Sequence, residues 1–137
     1  MIKQRLMIVD DDEEIRSQMK WALISEYDIA LAEDRATALS AFQTHKPSIV
    51  LLDLGLPPHP ADPTEGIATL SDLLALNPKV KVIIISGQSD RSNALRAVSE
   101  GAYDFLSKPV EMSELKVIIK RAFHVAQLET DLLEIQR

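Results

Sequence analysis

The sequence predicts an α/β domain whose parallel sheet is covered by helices on both faces. Short continuous apolar runs recur, among them Leu6-Met7-Ile8-Val9 and Ile49-Val50-Leu51-Leu52. Runs of that length bounded by turn residues read as strands buried on both faces. Segments of helical periodicity stand between them, so strands alternate with helices. No pair of runs is joined by a hairpin signal, which leaves crossover connections between parallel strands.

Each element has its own justification. The first strand, Leu6 to Val9, stops at Asp10-Asp11-Asp12-Glu13-Glu14. A helix follows, with Ile15, Met19, Ala22 and Leu23 at helical spacing and Asp12 as its cap. Tyr27 to Ala32 is a second, more exposed strand, and Glu33-Asp34 leads into a helix through Ala38 and Phe42 that Lys46-Pro47 ends. The third strand runs Ile49 to Asp53, and four of the seven prolines (Pro57, Pro58, Pro60 and Pro63) lie in the loop from Gly55 to Gly66. Their rings stiffen that loop and exclude helix from it. Ile67, Leu70, Leu73 and Leu74 mark the next helix, closed near Asn77-Pro78. Val80 to Ile85 is the fourth strand, ending at Ser86-Gly87. Asp90 starts a helix through Ala94, Ala97 and Val98, with Gly101 as its stop. A short fifth strand, Tyr103 to Ser107, ends at Lys108-Pro109, and the pattern from Met112 or Ser113 onward is helical.

Composition narrows the function. A chain of 137 residues with 46% apolar residues fits one folded domain. Its net charge of −6 argues against direct binding of a nucleic-acid backbone by this domain. With no cysteine there is neither a disulfide framework nor a thiolate metal site. No signal peptide and no apolar run near membrane-spanning length is present, so a soluble cytoplasmic protein without membrane contact is expected.

The strand ends carry the chemistry. Asp10 and Asp11, Asp53, Ser86 and Lys108 each stand where a strand leaves the core. Parallel strands put those ends on one rim, and a 2-1-3-4-5 order of the flavodoxin-like kind sets strands one and three side by side at the switch point. Asp10, Asp11 and Asp53 then converge, and three close carboxylates require a positive partner. A hard divalent cation such as Mg²⁺ suits such oxygen ligands. Carboxylate, cation, ammonium and hydroxyl around one open spot suit a phosphoryl group, with Asp53 as the nucleophile. Taken singly, each part has a plainer reading. The acidic run favours a helix N-terminus, Ser86-Gly87 makes a turn, and Lys108-Pro109 is a loop. Their joint occurrence at four strand ends is what singles them out.

These residues resemble the receiver domain of two-component response regulators. The resemblance rests on Ile8-Val9-Asp10-Asp11-Asp12, Leu51-Leu52-Asp53-Leu54-Gly55-Leu56-Pro57, Ile84-Ile85-Ser86-Gly87 and Gly101 to Pro109. It implies Asp53 as phosphoacceptor for a histidine kinase. It implies a Mg²⁺ or Mn²⁺ site of Asp10, Asp11, Asp53 and the Gly55 backbone carbonyl. Ser86 matches the switch hydroxyl, Phe105 the aromatic switch position and Lys108 the phosphate-binding lysine, before a bond that is usually cis. The implied function is signalling, with no turnover chemistry: phosphorylation reshapes the surface of the fourth helix, fifth strand and fifth helix. Wording such as Lys20-Trp21-Ala22-Leu23 and Leu54-Gly55-Leu56-Pro57-Pro58 is similar to the PEP-CTERM-box branch of NtrC-like regulators. In that branch the receiver precedes a sigma-54-interacting ATPase and a DNA-binding helix-turn-helix.

Two features depart from the bare pattern. The loop after Asp53 is longer than the usual family pattern by about five residues, and long loops tend to be functional. Gly55 has no side chain to block water and Gln88 is polar, which together imply a phosphoryl lifetime towards the short end for receivers. In the tail, Val125, Leu128, Leu132 and Ile135 are spaced 3-4-3, the seam of a heptad. Residues 1–124 are expected to form the receiver domain. Residues 125–137 are expected to be a helical extension that pairs two protomers and leads to an output domain. The competing readings are a pseudo-receiver that never carries phosphate and a haloacid-dehalogenase-type phosphatase. The latter expects a second Asp where Gly55 stands.

Overall fold

A computed structural model describes residues 3–87 and 90–136. In chain order its elements are β1 (Gln4–Val9), α1 (Glu13–Leu23), β2 (Tyr27–Ala32), α2 (Arg35–His45), β3 (Ile49–Asp53), α3 (Thr64–Leu76), β4 (Lys81–Ser86), α4 (Arg91–Ser99), β5 (Asp104–Ser107) and α5 (Met112–Gln136). The five strands form one parallel sheet in the order β2-β1-β3-β4-β5. This is the flavodoxin-like arrangement expected from the alternation of strands and helices.

The side-chain period of two divides the core into two layers. Met7, Val9, Val50, Leu52, Val82 and Ile84 pack against α2, α3 and α4. Leu6, Ile8, Ile49, Leu51, Ile83 and Ile85 pack against α1 and α5. The central strand β3 is buried at every position, whereas the edge strand β2 is buried only at its two ends. Stacked rings of Tyr27 and Phe123, 5.3 Å between centroids, tie the start of β2 to α5.

Local chemistry sets the helix ends. The Asp12 side chain accepts from the N–H groups of Glu14 and Ile15 at the start of α1. Asp34 and Thr37 form a reciprocal capping box on α2. Lys46 closes α2 with a left-handed backbone, φ 54°. Gly101 (φ 117°) follows α4, where the Ala102 N–H donates to the Ala97 carbonyl and the Gly101 N–H to the Val98 carbonyl. That pair of bonds is the Schellman closure for which glycine is suited.

Three strand boundaries differ from the expected ones. β1 begins at Gln4 because exposed Gln4 and Arg5 pair with Tyr27 and Asp28, which hydropathy does not register. β4 is shifted by one residue, to Lys81–Ser86, because Val80 donates its N–H to Asn77 in the preceding turn. β5 starts at Asp104, one residue later than expected. Among the described residues, no helix is long and apolar enough to cross a membrane.

The final helix outgrows the domain. Leu115, Ile118, Ile119, Ala122 and Phe123 are buried against the sheet, and an ion pair between Lys81 and Glu129 holds the helix one turn further. Leu128 beside it and Leu132 and Ile135 beyond it are 52%, 55% and 80% exposed. Half-buried Val125 lies near the buried face, but at about 100° per residue the stripe of Leu128, Leu132 and Ile135 points well away from it. That stripe does not serve as cover for its own domain.

Candidate functional site

The register brings the strand-end residues together. β1 pairs with β3 through Val9 and Leu52, and one residue further along each strand stand Asp10 and Asp53. β3 pairs with β4 through Asp53 and Ile85, one residue before Ser86. β4 pairs with β5 through Ser86 and Ser107, one residue before Lys108. β5 lies two strands from β3, a gap of roughly 9–10 Å that a lysine side chain spans. The Lys108 ammonium lies 3.3 Å from Asp53 Oδ2 and 3.6 Å from Asp10 Oδ2. The Lys108–Pro109 peptide is cis, as the resemblance implied.

Asp10, Asp11 and Asp53 each offer a carboxylate oxygen, and these oxygens lie within 4.8 Å of one another. Asp10 and Asp53 are buried, while Asp11 stands at the mouth. Asp10 Oδ1 accepts from the Asp12 N–H at 2.9 Å, and Asp53 Oδ1 from the Gly55 N–H at 3.0 Å. Among the described residues, Asp10 Oδ2 has no hydrogen-bond donor and the buried Ser86 hydroxyl has no hydrogen-bond partner. Three carboxylates against one ammonium leave two negative charges uncompensated. An all-oxygen donor set with that deficit fits a hard divalent cation, and Asp10, Asp11 and Asp53 are the side chains that would hold it.

Ionisation reflects the same crowding. Burial, followed by the nearby Asp53 charge, pushes the Asp10 carboxyl up to about 6, although the Asp12 N–H and Lys108 pull it down. Burial likewise raises Asp53 above the usual carboxylate range, against Lys108 and the Gly55 N–H. Burial lowers the Lys108 ammonium, but Asp53 and Asp10 more than offset it, and the net shift is upward. A raised carboxyl favours the protonated form in the folded state. Its stabilisation is therefore present at low pH and lost as pH rises through the folded value. Without cation, the melting temperature should fall between about pH 4.5 and 6.5 and level off above, and Asp10→Asn should flatten that slope. Exposed Asp34, Asp62 and Glu111 are shifted down and act below this window. Mg²⁺ requires the ionised carboxylates, so its stabilising effect should be large near pH 8 and small near pH 5, as thermal melts with and without EDTA would record.

Ser86 and Phe105 share one face. Ser86 follows Val82 and Ile84 on the α4 side of β4, and Phe105 pairs with Ile84. Phe105 thus stands diagonal to Ser86, half-buried, with the Arg91 guanidinium 5.9 Å from its ring centre. Gln88 lies outside the described residues.

Gly55 brings a correction. The sequence shows only that Gly55 has no side chain to block water, whereas in the structure the loop from Leu56 to Pro63 folds back against Gly55 and takes up the room a side chain would need. A Cβ on Gly55 would overlap the Pro60 carbonyl oxygen and stand 3.8 Å from Asp53 Oδ1. Sequence reasoning also missed Arg16, whose guanidinium donates to the Asp10 carbonyl at 2.6 Å and fixes the exit of β1. The only available signal was a basic residue one turn into an otherwise acidic helix start.

Comparison with known proteins agrees with this geometry. Residues 6–120 match the family described as "Response regulator receiver domain". The chain is 31% identical to the nitrogen assimilation regulatory protein NtrX of Azorhizobium caulinodans over 133 residues, covering 96% of this chain and 29% of that protein. It is 26% identical to the regulatory protein AtoC of Escherichia coli over 129 residues, covering 93% of this chain and 27% of that protein. The crystal structure of the NtrX receiver domain from Brucella abortus superposes with a TM-score of 0.80 at 31% identity, covering 87% of this chain and 98% of that one. The chain thus spans under a third of these two curated relatives.

Proposed function

This chain belongs to the response regulator receiver domain family, and from that premise we propose that it accepts a phosphoryl group on Asp53 from a histidine kinase. The observation that carries this reading is the pair of buried groups beside Asp53, Asp10 Oδ2 and Ser86 Oγ, that have no hydrogen-bond partner among the described residues. A buried polar atom left without a partner costs about 1–3 kcal/mol. Both sit where a cation and a phosphoryl oxygen would satisfy them.

The ionised Asp53 carboxylate attacks phosphorus. The bond from phosphorus to the donor's imidazole nitrogen breaks, and that nitrogen keeps the electron pair. An acyl phosphate remains on Asp53. Lys108, already against Asp53 Oδ2, moves onto a phosphoryl oxygen, and the Ser86 hydroxyl donates to another. Asp10, Asp11, Asp53 and the Gly55 carbonyl would hold Mg²⁺ or Mn²⁺, whose charge would offset the carboxylates and the phosphoryl oxygens. An apolar groove of Ile15, Met19, Pro109, Val110 and Met112 lies beside Lys108 and offers a donor protein a seat within reach of Asp53.

The readout is a biased two-state element. As Ser86 is drawn towards the phosphoryl group, space opens behind it and Phe105 turns inward from beneath Arg91. The surface of α4, β5 and α5 changes with it. Residues 1–124 act as the receiver and 125–137 as the helical link to an output domain. That domain is of the sigma-54-interacting, DNA-binding type of the PEP-CTERM-box regulators, and the whole protein works in the cytoplasm. The receiver itself does not bind nucleic acid. Gly55 and Gln88 tune the loss of the phosphoryl group.

The stripe of half-buried Val125 and exposed Leu128, Leu132 and Ile135 pairs two copies of the chain as a short coiled coil. Replacing Leu128 and Leu132 by Asp should shift light scattering from dimer towards monomer at equal concentration. An unchanged mass would move the dimer contact elsewhere.

The direct test of phosphorylation is intact mass after incubation with Mg²⁺ and acetyl phosphate. A gain of one phosphoryl, blocked by EDTA, is the expected result. No gain under either condition would mean a pseudo-receiver that signals by docking alone.

A further inference from the structure

We propose that the loop from Leu56 to Pro63 is a fixed wall of the phosphorylation site, which takes the place of a side chain at residue 55 and shields an Asp53 phosphoryl group from water. This rests on Asp53 being the phosphoacceptor. The central observation is the close approach at Gly55. The position a Cβ would take overlaps the Pro60 carbonyl oxygen and lies 3.8 Å from Asp53 Oδ1. A side chain there would stand one atomic layer from the reacting carboxylate. Here the main chain from five residues further along takes up its room.

The loop is anchored on both sides of Pro60. Leu56 is fully buried in the core beneath it, and its N–H donates to the Leu54 carbonyl. Pro57 and Pro58 line one groove with Ala36 and Leu39 of α2. On the far side, the Asp62 N–H donates to the His59 carbonyl, and the Asp62 carboxylate accepts from the Thr64 N–H at 2.8 Å and from the Thr64 hydroxyl. The Ile67 N–H then bonds the Pro63 carbonyl as α3 begins. Gly66 closes the arrangement, since a Cβ there would overlap the Leu54 main chain. With three proline rings between two such anchors, few backbone states remain for the Pro60 carbonyl.

The wall reverses the expectation drawn from the glycine alone. A bare glycine at 55 would leave water a free approach from that side. A carbonyl held there excludes water by volume. The phosphoryl group on Asp53 is therefore long-lived, and its lifetime is a property of the loop.

Two measurements test this. Wild type and a variant lacking residues 58–62 are loaded with acetyl phosphate and Mg²⁺, the donor is removed, and phosphoryl content is followed by intact mass. The shortened loop should lose phosphate about tenfold faster, the rate equivalent of one lost barrier interaction. Pro60→Gly, which loosens the same carbonyl without shortening the loop, should act in the same direction and serves if the deletion does not fold. Equal or slower loss in the variants, with phosphoryl taken up normally, would overturn the wall and leave Asp53 as phosphoacceptor intact. The second measurement is thermal melting of Gly55→Ala in each background, which needs no phosphoryl group. The added methyl should lower the melting temperature of wild type and have little effect in the shortened chain, because loop and side chain compete for one space. Equal effects in both would remove the geometric basis. Failure of every protein to take up phosphate would count against Asp53 instead, with the melting cycle still deciding whether the wall exists.

Discussion

Asp53→Asn should show no gain in mass with acetyl phosphate and Mg²⁺, while the wild type gains one phosphoryl. The two side chains are nearly the same size, and the Asn carbonyl oxygen can keep the bond that Asp53 Oδ1 accepts from the Gly55 N–H at 3.0 Å. What the variant loses is the charged oxygen. An amide is a poor nucleophile, and the metal-binding group loses one anionic ligand of three. Any phosphoryl found on the variant would place the acceptor elsewhere, with Asp10 and Asp11 the first alternatives. The same substitution carries a second signature. Burial raises the Asp53 carboxyl, so holding it ionised at neutral pH works against folding. In EDTA the Asn variant should therefore melt above the wild type, and the gain in melting temperature on adding Mg²⁺ should shrink. A variant that loses function while gaining stability marks a charge kept for chemistry, since removing a residue that only packs the core would lower stability.

Gly66→Ala should be the most damaging single methyl in the chain. Its Cβ would fall on the Cα, carbonyl carbon and oxygen of Leu54, all main-chain atoms just past β3. A flexible side chain can rotate aside, whereas a strand exit tied into the sheet cannot. Overpacking against main chain should cost about 3 kcal/mol or more, a loss of roughly 10 °C in melting temperature for a domain of this size. Gly87→Ala is the control, because among the described residues its Cβ would meet only Asp90 Oδ2, at an ordinary 3.7 Å. Equal melting temperatures for the two variants would mean that α3 does not press on the exit of β3 as described. The consequence extends to the site. Leu54 joins Asp53 to Gly55, so moving α3 outward shifts the carboxylate and the loop together.

Much of this molecule was legible in one dimension, for a local reason. Each strand announces itself by a run of apolar residues, each helix by its spacing and caps, and each polar residue at a strand end by the abrupt change from apolar to charged. Parallel alternation then forces Asp10, Asp53, Ser86 and Lys108 onto one rim with no knowledge of coordinates, because every crossover returns the chain in the same direction. Asp12, Gly101 and the burial of Ile49 to Asp53 were readable on the same grounds.

The tertiary structure decided what depends on long-range packing or on main-chain atoms. Polar Gln4 and Arg5 join β1 because Tyr27 and Asp28 lie beside them, and residue hydropathy carries no record of a neighbour. The free face of Leu128, Leu132 and Ile135 follows from how far α5 travels past the sheet before Glu129 meets Lys81. Gly55 reads in the sequence only as a position with no side chain to block water. The room a side chain would need is taken up by the Pro60 carbonyl, a group that every residue carries and no residue type reveals. Residue chemistry thus settled which side chains gather at the site, and the path of the backbone settled what stands in front of them.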